Sequence, residues 1–351
     1  MKKYYFFPKV GYAVILSLAL SSLFSQPVAA QSCPTNGSTN VNTYPGTYFS
    51  ISGGDLPAGS TSIALSSATY GSTPISKGDI LLIIQMQGAQ INAVNTSNYG
   101  ASNGTGSGYL NNTNLLAGNM EYVIANNNVS LGGGTLNLTS PLVNGYKNQS
   151  ATSTDGQYRF QVIRIGVFYD LKLTGTITAP RWDGSNGGVV VLYATDNIDL
   201  NGQTIDASGL GFRGGGGRSL SGAGSGANTD YYTLSSSNAN GSKGEGIAGT
   251  PKYTNNSSNN ALDVAPNEGY PNGSYAMGAP GNAGGGGTDG NPSNSNDQNT
   301  GGGGGSNGGA GGGGGKAWSS GILSGGKAGA VFAQASASRI VMGGGGGAGT
   351  T

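Results

Sequence analysis

The sequence predicts an all-β protein: a small β-barrel or sandwich module over residues 31–170, then a short parallel β-solenoid with long glycine-rich insertions over 171–351. Three observations predict it. Runs of Ile, Val, Leu, Tyr and Phe are short and often alternate with period two, which is strand spacing. Strand-like segments echo one another about 27 residues apart. Of 351 residues 69 are Gly, and no stretch keeps helical spacing.

The chain opens on a leader, residues 1–30. Lys2, Lys3 and Lys9 precede the apolar run Ala13-Val14-Ile15-Leu16-Ser17-Leu18-Ala19-Leu20, and Val28-Ala29-Ala30 supplies the small residues of a cleavage site. The run is too short for a permanent span, so the reading is a cleaved export signal, with no membrane span once it is removed. Cleavage would leave Gln31 first, and the protein is expected outside the cytoplasm or on the cell surface. Cys33, the one cysteine, cannot form an internal disulfide. A lipid-modified Cys33 is the alternative, but Ala30-Gln31-Ser32 fits a lipobox poorly.

The first module is read from a set of strands and turns. Thr61-Ser62-Ile63-Ala64-Leu65 alternates and reads as half-buried. The turn Lys77-Gly78-Asp79 feeds Ile80-Leu81-Leu82-Ile83-Ile84, which as a strand is buried on both faces. Glu121 to Ala125 is a further strand. Val129 to Leu131, Gly132 to Gly134 and Thr135 to Leu138 read as strand, turn and strand. Phe160 to Ile165 completes a set expected to fold on its own core, and Asn92 to Asn114 reads as a long surface loop.

The second region is read from recurrence. Leu171 to Ala179 is echoed by Ile198 to Ala207, with Gly187 to Ala194 between them, and a related pattern returns at Gly329 to Ala335 and Arg339 to Val341. Such recurrence predicts stacked rungs around a shared core, while alternation alone would equally allow a jelly-roll sandwich. Gly214–Gly217, Gly284–Gly287, Gly301–Gly305, Gly311–Gly315 and Gly343–Gly347 have no side chain to bury. Ordering them is costly in backbone entropy. The insertion at about 214–328 is therefore either a flexible loop or a bundle of polyproline-II-like strands joined by backbone hydrogen bonds. A chain stopping inside a glycine tract is expected to be the front of a longer protein.

Composition excludes several functions. Without the three leader lysines, 16 basic residues become 13 against 15 acidic, so nothing draws the chain generally to nucleic acid. The absence of histidine removes the usual triads and His-ligated zinc. Gly214-Gly215-Gly216-Gly217-Arg218-Ser219 has Arg where a phosphate loop needs Lys, and no helix pattern follows. Gly284-Gly285-Gly286-Gly287-Thr288-Asp289 matches a calcium nonapeptide only in part and only once. No cofactor and no metal are expected. For hydrolysis the candidates are Asp183, Asp196, Asp199 and Asp206, with Trp182 and Tyr193 available to stack on sugar. Acids at strand ends are commonly solvated, so no catalytic residue is assigned. Ice binding would want regular Thr-x-Thr ranks or a strict Gly-x-x period, and neither occurs.

Four segments taken together carry a resemblance: Gly78 to Ala89, Ala179-Pro180-Arg181-Trp182-Asp183-Gly184, Gly187 to Leu192, and Gly209-Leu210-Gly211-Phe212-Arg213-Gly214-Gly215. Their order is similar to glycine-rich modules at the front of very large, adhesin-like surface proteins of gliding and biofilm-forming bacteria. The resemblance runs through most of the mature chain and implies location and architecture, with no functional residue to carry over. The expected function is a secreted or cell-surface structural or adhesive protein, non-catalytic, whose partners are extracellular polysaccharide or another surface protein. The alternative is a carbohydrate-binding or carbohydrate-cleaving β-helix protein.

Overall fold

A computed structural model describes residues 33–91, 115–152, 155–217, 240–255, 261–263, 269–270, 273–288, 299–317 and 325–350. The leader, the expected loop from Asn92 to Asn114, and Arg218, Ser219 and Asp289 of the two glycine motifs lie outside the described residues. These hold eleven strands and no helix, and so no helix long and apolar enough to cross a membrane.

Six strands form one antiparallel sheet: β2 (Thr47–Ile51), β3 (Ser62–Tyr70), β4 (Ile80–Gln87), β5 (Met120–Ile124), β6 (Gly134–Asn137) and β7 (Arg159–Arg164). Their spatial order is β5-β4-β7-β2-β3-β6. Ala125 bridges Leu138, joining the two edge strands at one end, so the sheet curls into a half-barrel. The predicted turn before β4 has a clear cause. Gly78 sits at φ +95°, and Asp79 accepts hydrogen bonds from Ser76 N (2.8 Å) and Arg164 Nε (2.9 Å). One carboxylate thus ties the start of β4 to the end of β7.

Strand β4 is buried on both faces, as its unbroken apolar run requires. Leu81 and Ile83 point into the half-barrel with Phe49, Ile63, Val123, Leu136 and Val162. Leu82, Ile84 and Met86 point the other way, onto Tyr48, Ile163, Leu171, Leu173, Ile177 and Trp182. The core inside the half-barrel is built wholly from the first region. The outer face of its sheet is covered by residues beyond 170, and Asp170 lies within a strand.

That strand is β8 (Val167–Leu173), the centre of a parallel sheet with β1 (Ser38–Val41) and β9 (Tyr193–Asp199). Leu171 pairs with Ile198 and Ile177 bridges Ile205, so the 27-residue echo is a parallel pairing. Other expected rungs differ. Gly187 to Leu192 is not a strand: Val189 accepts from the Tyr48 hydroxyl, and Val191 N donates to Tyr44 Oη at 3.3 Å, so tyrosines of β2 and of the segment before it occupy its backbone. Gly329 to Ala335 and Arg339 to Val341 are also irregular, with a bridge between Ser336 and Arg339. A short antiparallel pair, β10 (Tyr253–Asn255) and β11 (Ala261–Asp263), completes the strands.

Of the two readings left open above, the described glycine tracts follow the bundle; 218–239, 289–298 and other parts of the insertion lie outside the described residues. Successive residues of one tract donate to different neighbours: Gly284 to Gly345 O (2.9 Å), Gly285 to Lys327 O (2.9 Å), Gly286 to Ala276 O (2.9 Å), then Gly287 to Ala348 O (2.7 Å). The fourth returns to the neighbour of the first, three residues along. The last tract repeats the rule, with Gly344 and Gly347 donating to Ser306 and Gly303, and Gly345 and Ala348 to Glu245 and Ser242. A period of three with bonds only between neighbours is the polyproline-II arrangement. It tolerates no Cβ: one on Gly347 would stand 1.9 Å from Gly285 O, and one on Gly345 1.8 Å from Arg213 O.

A buried polar chain joins bundle to half-barrel. Arg213 grips Glu245 with Nε to Oε2 and Nη2 to Oε1, both at 2.8 Å. Thr250 donates to Glu245 at 2.6 Å, Gln87 of β4 donates to Thr250 Oγ1 at 3.1 Å, and Gln157 donates to Gln87 Oε1 at 3.0 Å. Further along, Gln161 of β7 exchanges two bonds with the backbone of Gly187, at 2.9 and 3.0 Å.

Two stability measurements test this account. Gly347→Ala should cost about 1–3 kcal/mol or more, because two backbones must separate. Gly312→Ala, where nothing stands within 4 Å of the new Cβ, should be neutral or gain about 0.4–1 kcal/mol. Equal losses in thermal or denaturant melts would contradict close packing. Glu245→Ala should cost about 3–5 kcal/mol by leaving the Arg213 guanidinium unpaired in the interior, and a melt within experimental error of the parent would contradict the joint.

Candidate functional site

The four aspartates considered for hydrolysis are placed by local turns. Asp183 Oδ1 accepts from Ser185 N (2.7 Å) and Asn186 N (2.8 Å). Asp199 Oδ1 accepts from Asn201 N, and Asp206 Oδ1 from Ser208 N, each at 2.8 Å. These are Asx turns, in which a short carboxylate caps the backbone just ahead of it. Asp199 also lies 3.8 Å from Lys172, and Asp196 is exposed on β9. Among the described residues no three His, Cys, Asp or Glu side chains converge as a metal site.

The aromatic candidates separate. Trp182 is buried and packs edge-on against Phe212, ring centroids 5.9 Å apart, so it serves the core rather than a sugar platform. Tyr193 is 40% exposed. The glycine motifs are bundle strands: Gly215 N donates to Gly346 O and Gly216 N to Tyr253 O. Those N–H groups are committed to protein carbonyls, which is the opposite of a phosphate cradle. Cys33 is a half-buried free thiol.

Two cavities among the described residues bear on function. One, of about 270 Å³, lies where the outer face of β4 meets the second half, among Ile84, Met86, Val189, Val190, Val341 and Met342. Its walls are apolar and belong to the joint. The other, of about 320 Å³, is lined by Ile51, Asn148, Ser150, Arg159, Phe160 and Ser185. Ile51 ends β2, Arg159 and Phe160 begin β7, Asn148 and Ser150 come from the segment before β7, and Ser185 from the Asp183 turn. That turn is fixed to β2 by Ser50, whose Oγ lies 3.3 Å from Ser185 Oγ and accepts from the Asn186 amide.

Arg159 is the charged group of this cavity. Its Nη1 donates to Tyr158 O (2.8 Å), Gln149 O (3.0 Å) and Asn148 Oδ1 (3.2 Å). Loss of water around the guanidinium lowers its pKa. The ion pairs among the described residues are Arg164–Asp79, Lys172–Asp199 and Arg213–Glu245, so Arg159 has no acidic partner there. Sequence reasoning passed over these residues. The available signal was an arginine at the head of a buried strand, but the approach of Ser150 and Ser185 exists only in three dimensions.

Asp206 supplies a titration test. Its bonds from the Ser208 backbone and side chain hold its pKa below the usual 3.8. A lowered folded-state value means that the cap operates above it and is lost as pH falls through it. NMR titration should place the Asp206 midpoint below that of an unstructured aspartate. A midpoint at or above the ordinary value would mean that the turn does not form in solution.

No family model matches this chain, and neither the curated proteins nor the solved structures contain a match.

Proposed function

We propose that this chain is a secreted or cell-surface structural and adhesive protein, non-catalytic, that displays loops on a rigid glycine-laced β-scaffold. The observation that carries the reading is the threefold glycine bundle. Its order comes from backbone bonds and close approach, and it is fused to the half-barrel by a buried polar chain. Such a construction suits a load-bearing or display element more than a reaction centre. The tripartite leader supports export, and the low charge, with Ser, Thr and Asn as the solubilising groups, supports an extracellular setting.

The parallel strands support the finer architectural reading, a β-solenoid. Leu171, Leu173 and Ile177 are fully buried, whereas Ile198, Leu200 and Ile205, which follow them one strand on, are 38%, 46% and 41% exposed. A further parallel rung on β9 would cover that row. The second functional reading, carbohydrate binding, rests on the cavity of Asn148, Ser150, Arg159 and Ser185.

The test exchanges Asp183, Asp196, Asp199 and Asp206 together for Asn. Asparagine keeps the side-chain oxygen that caps each turn, so the fold should persist while the charges go. Surface attachment should be unchanged, and the protein should release no reducing ends from plant or microbial polysaccharides. Sustained cleavage that falls by orders of magnitude in the quadruple variant would replace the scaffold reading with an enzyme.

A further inference from the structure

We propose that the cavity over Arg159 is a binding site for the anionic group of an acidic sugar residue, the carboxylate of a uronate or a sulfate ester, within an extracellular polysaccharide. The proposal rests on the surface reading above and names the ligand class that such a surface would hold.

The geometry of one guanidinium carries it. An arginine offers two edges, and the Nε/Nη2 edge is the one that meets a carboxylate in parallel bidentate fashion. Arg213 uses that edge on Glu245 in this same protein, both bonds at 2.8 Å. Arg159 instead spends Nη1 on two backbone carbonyls and the Asn148 amide oxygen, which anchors the group. Its Nε and Nη2 have no acceptor among the described residues. A partly buried cation without a counter-charge is disfavoured unless something supplies one, and here a ligand anion can.

The surroundings favour a sugar over a bare ion. Ser150, Ser185 and Asn148 bring hydroxyl and amide groups to the walls, and Ile51 adds a little apolar surface, the Phe160 ring being turned into the half-barrel core. Polar walls of this kind suit the hydroxyls around the rim of a pyranose. A volume of about 320 Å³ lies at the lower end of the ~300–1,000 Å³ range of ligand sites, room for one residue of a chain that passes through an open cleft. Lys147, with its ammonium 5.1 Å from the Tyr158 ring centroid, adds positive charge along the same segment. Asp55, which shares this segment with Arg159, is committed to Asn148 N at 3.0 Å and to the Gln149 amide. Neutral glycans would satisfy the walls and leave the guanidinium edge unpaired.

The test uses the whole mature protein and measures binding by isothermal titration to polygalacturonate, dextran sulfate and neutral dextran. Binding to either or both of the acidic polymers, weakened by added salt and absent for dextran, is expected. A response to polygalacturonate alone identifies the carboxylate as the ligand group, and a response to dextran sulfate alone identifies the sulfate. Arg159→Gln should lower affinity at least tenfold. Because its Nη1 bonds also hold the chain, Ser150→Trp provides a second variant. Ser150 is exposed, so the indole should fill the cavity without disturbing the melt, and it should abolish binding while Arg159 stays in place. No binding to any polymer, equal binding to dextran, or acidic-polymer binding untouched by Ser150→Trp would overturn the site. Surface attachment of Ser150→Trp is measured alongside. A wild-type protein that attaches to the surface yet binds none of the polymers would overturn the site and leave the scaffold reading standing. A wild-type protein that never reaches the cell surface would sink that reading, whatever the titrations give.

Discussion

Backbone hydrogen bonding between strands that have no side chains is the constraint on which the rest of the structure depends. In a β-sheet each strand has two bonded neighbours, and side chains fill the space above and below. In the glycine bundle each strand turns by a third per residue and meets a different neighbour each time. The spacing closes only if every inward position lacks Cβ, as the 1.8–2.0 Å approaches at Gly345, Gly347 and Gly303 require. The entropic cost of ordering glycine is offset by bonds between strands, which in Gly284–Gly287 take up every N–H of the tract. A lone tract could not do this, so the bundle orders cooperatively.

The bundle needs a template, and the outer face of the half-barrel provides it. Apolar contact alone would leave the register of side-chain-free strands undefined, because they present no bumps to interlock. Polar groups set it instead. Gln87, Gln157 and Gln161 project amides from the sheet face, and Gln161 pairs with both backbone groups of Gly187. Glu245, buried and held by Arg213 and Thr250, fixes the strand that begins the bundle. Hydrogen bonds specify position more sharply than hydrophobic contact, and their full satisfaction makes burying them tolerable.

Charge is used sparingly, and several of the charges have internal tasks. Asp79 ties two strand ends, Asp183, Asp199 and Asp206 cap turns, and Arg213 and Glu245 neutralise one another. Against that background Arg159 differs: Nη1 of its guanidinium holds the chain, and the other edge has no acceptor among the described residues.

The sequence by itself determined the strand class and much of the register. The run from Ile80 to Ile84 could be buried on both faces only as a central strand, and the echo between Leu171 and Ile198 is a parallel pair because alternation and spacing are local properties. Tertiary structure alone decided three things. Val189 to Leu192 looks like a strand, but Tyr44 and Tyr48 from a distant segment take up its backbone. Glycine tracts carry no pattern from which to read partners, so their order could be known only from the strands around them. The cavity at Arg159 gathers four stretches of chain, and its empty guanidinium edge is a fact about neighbours that no single segment contains.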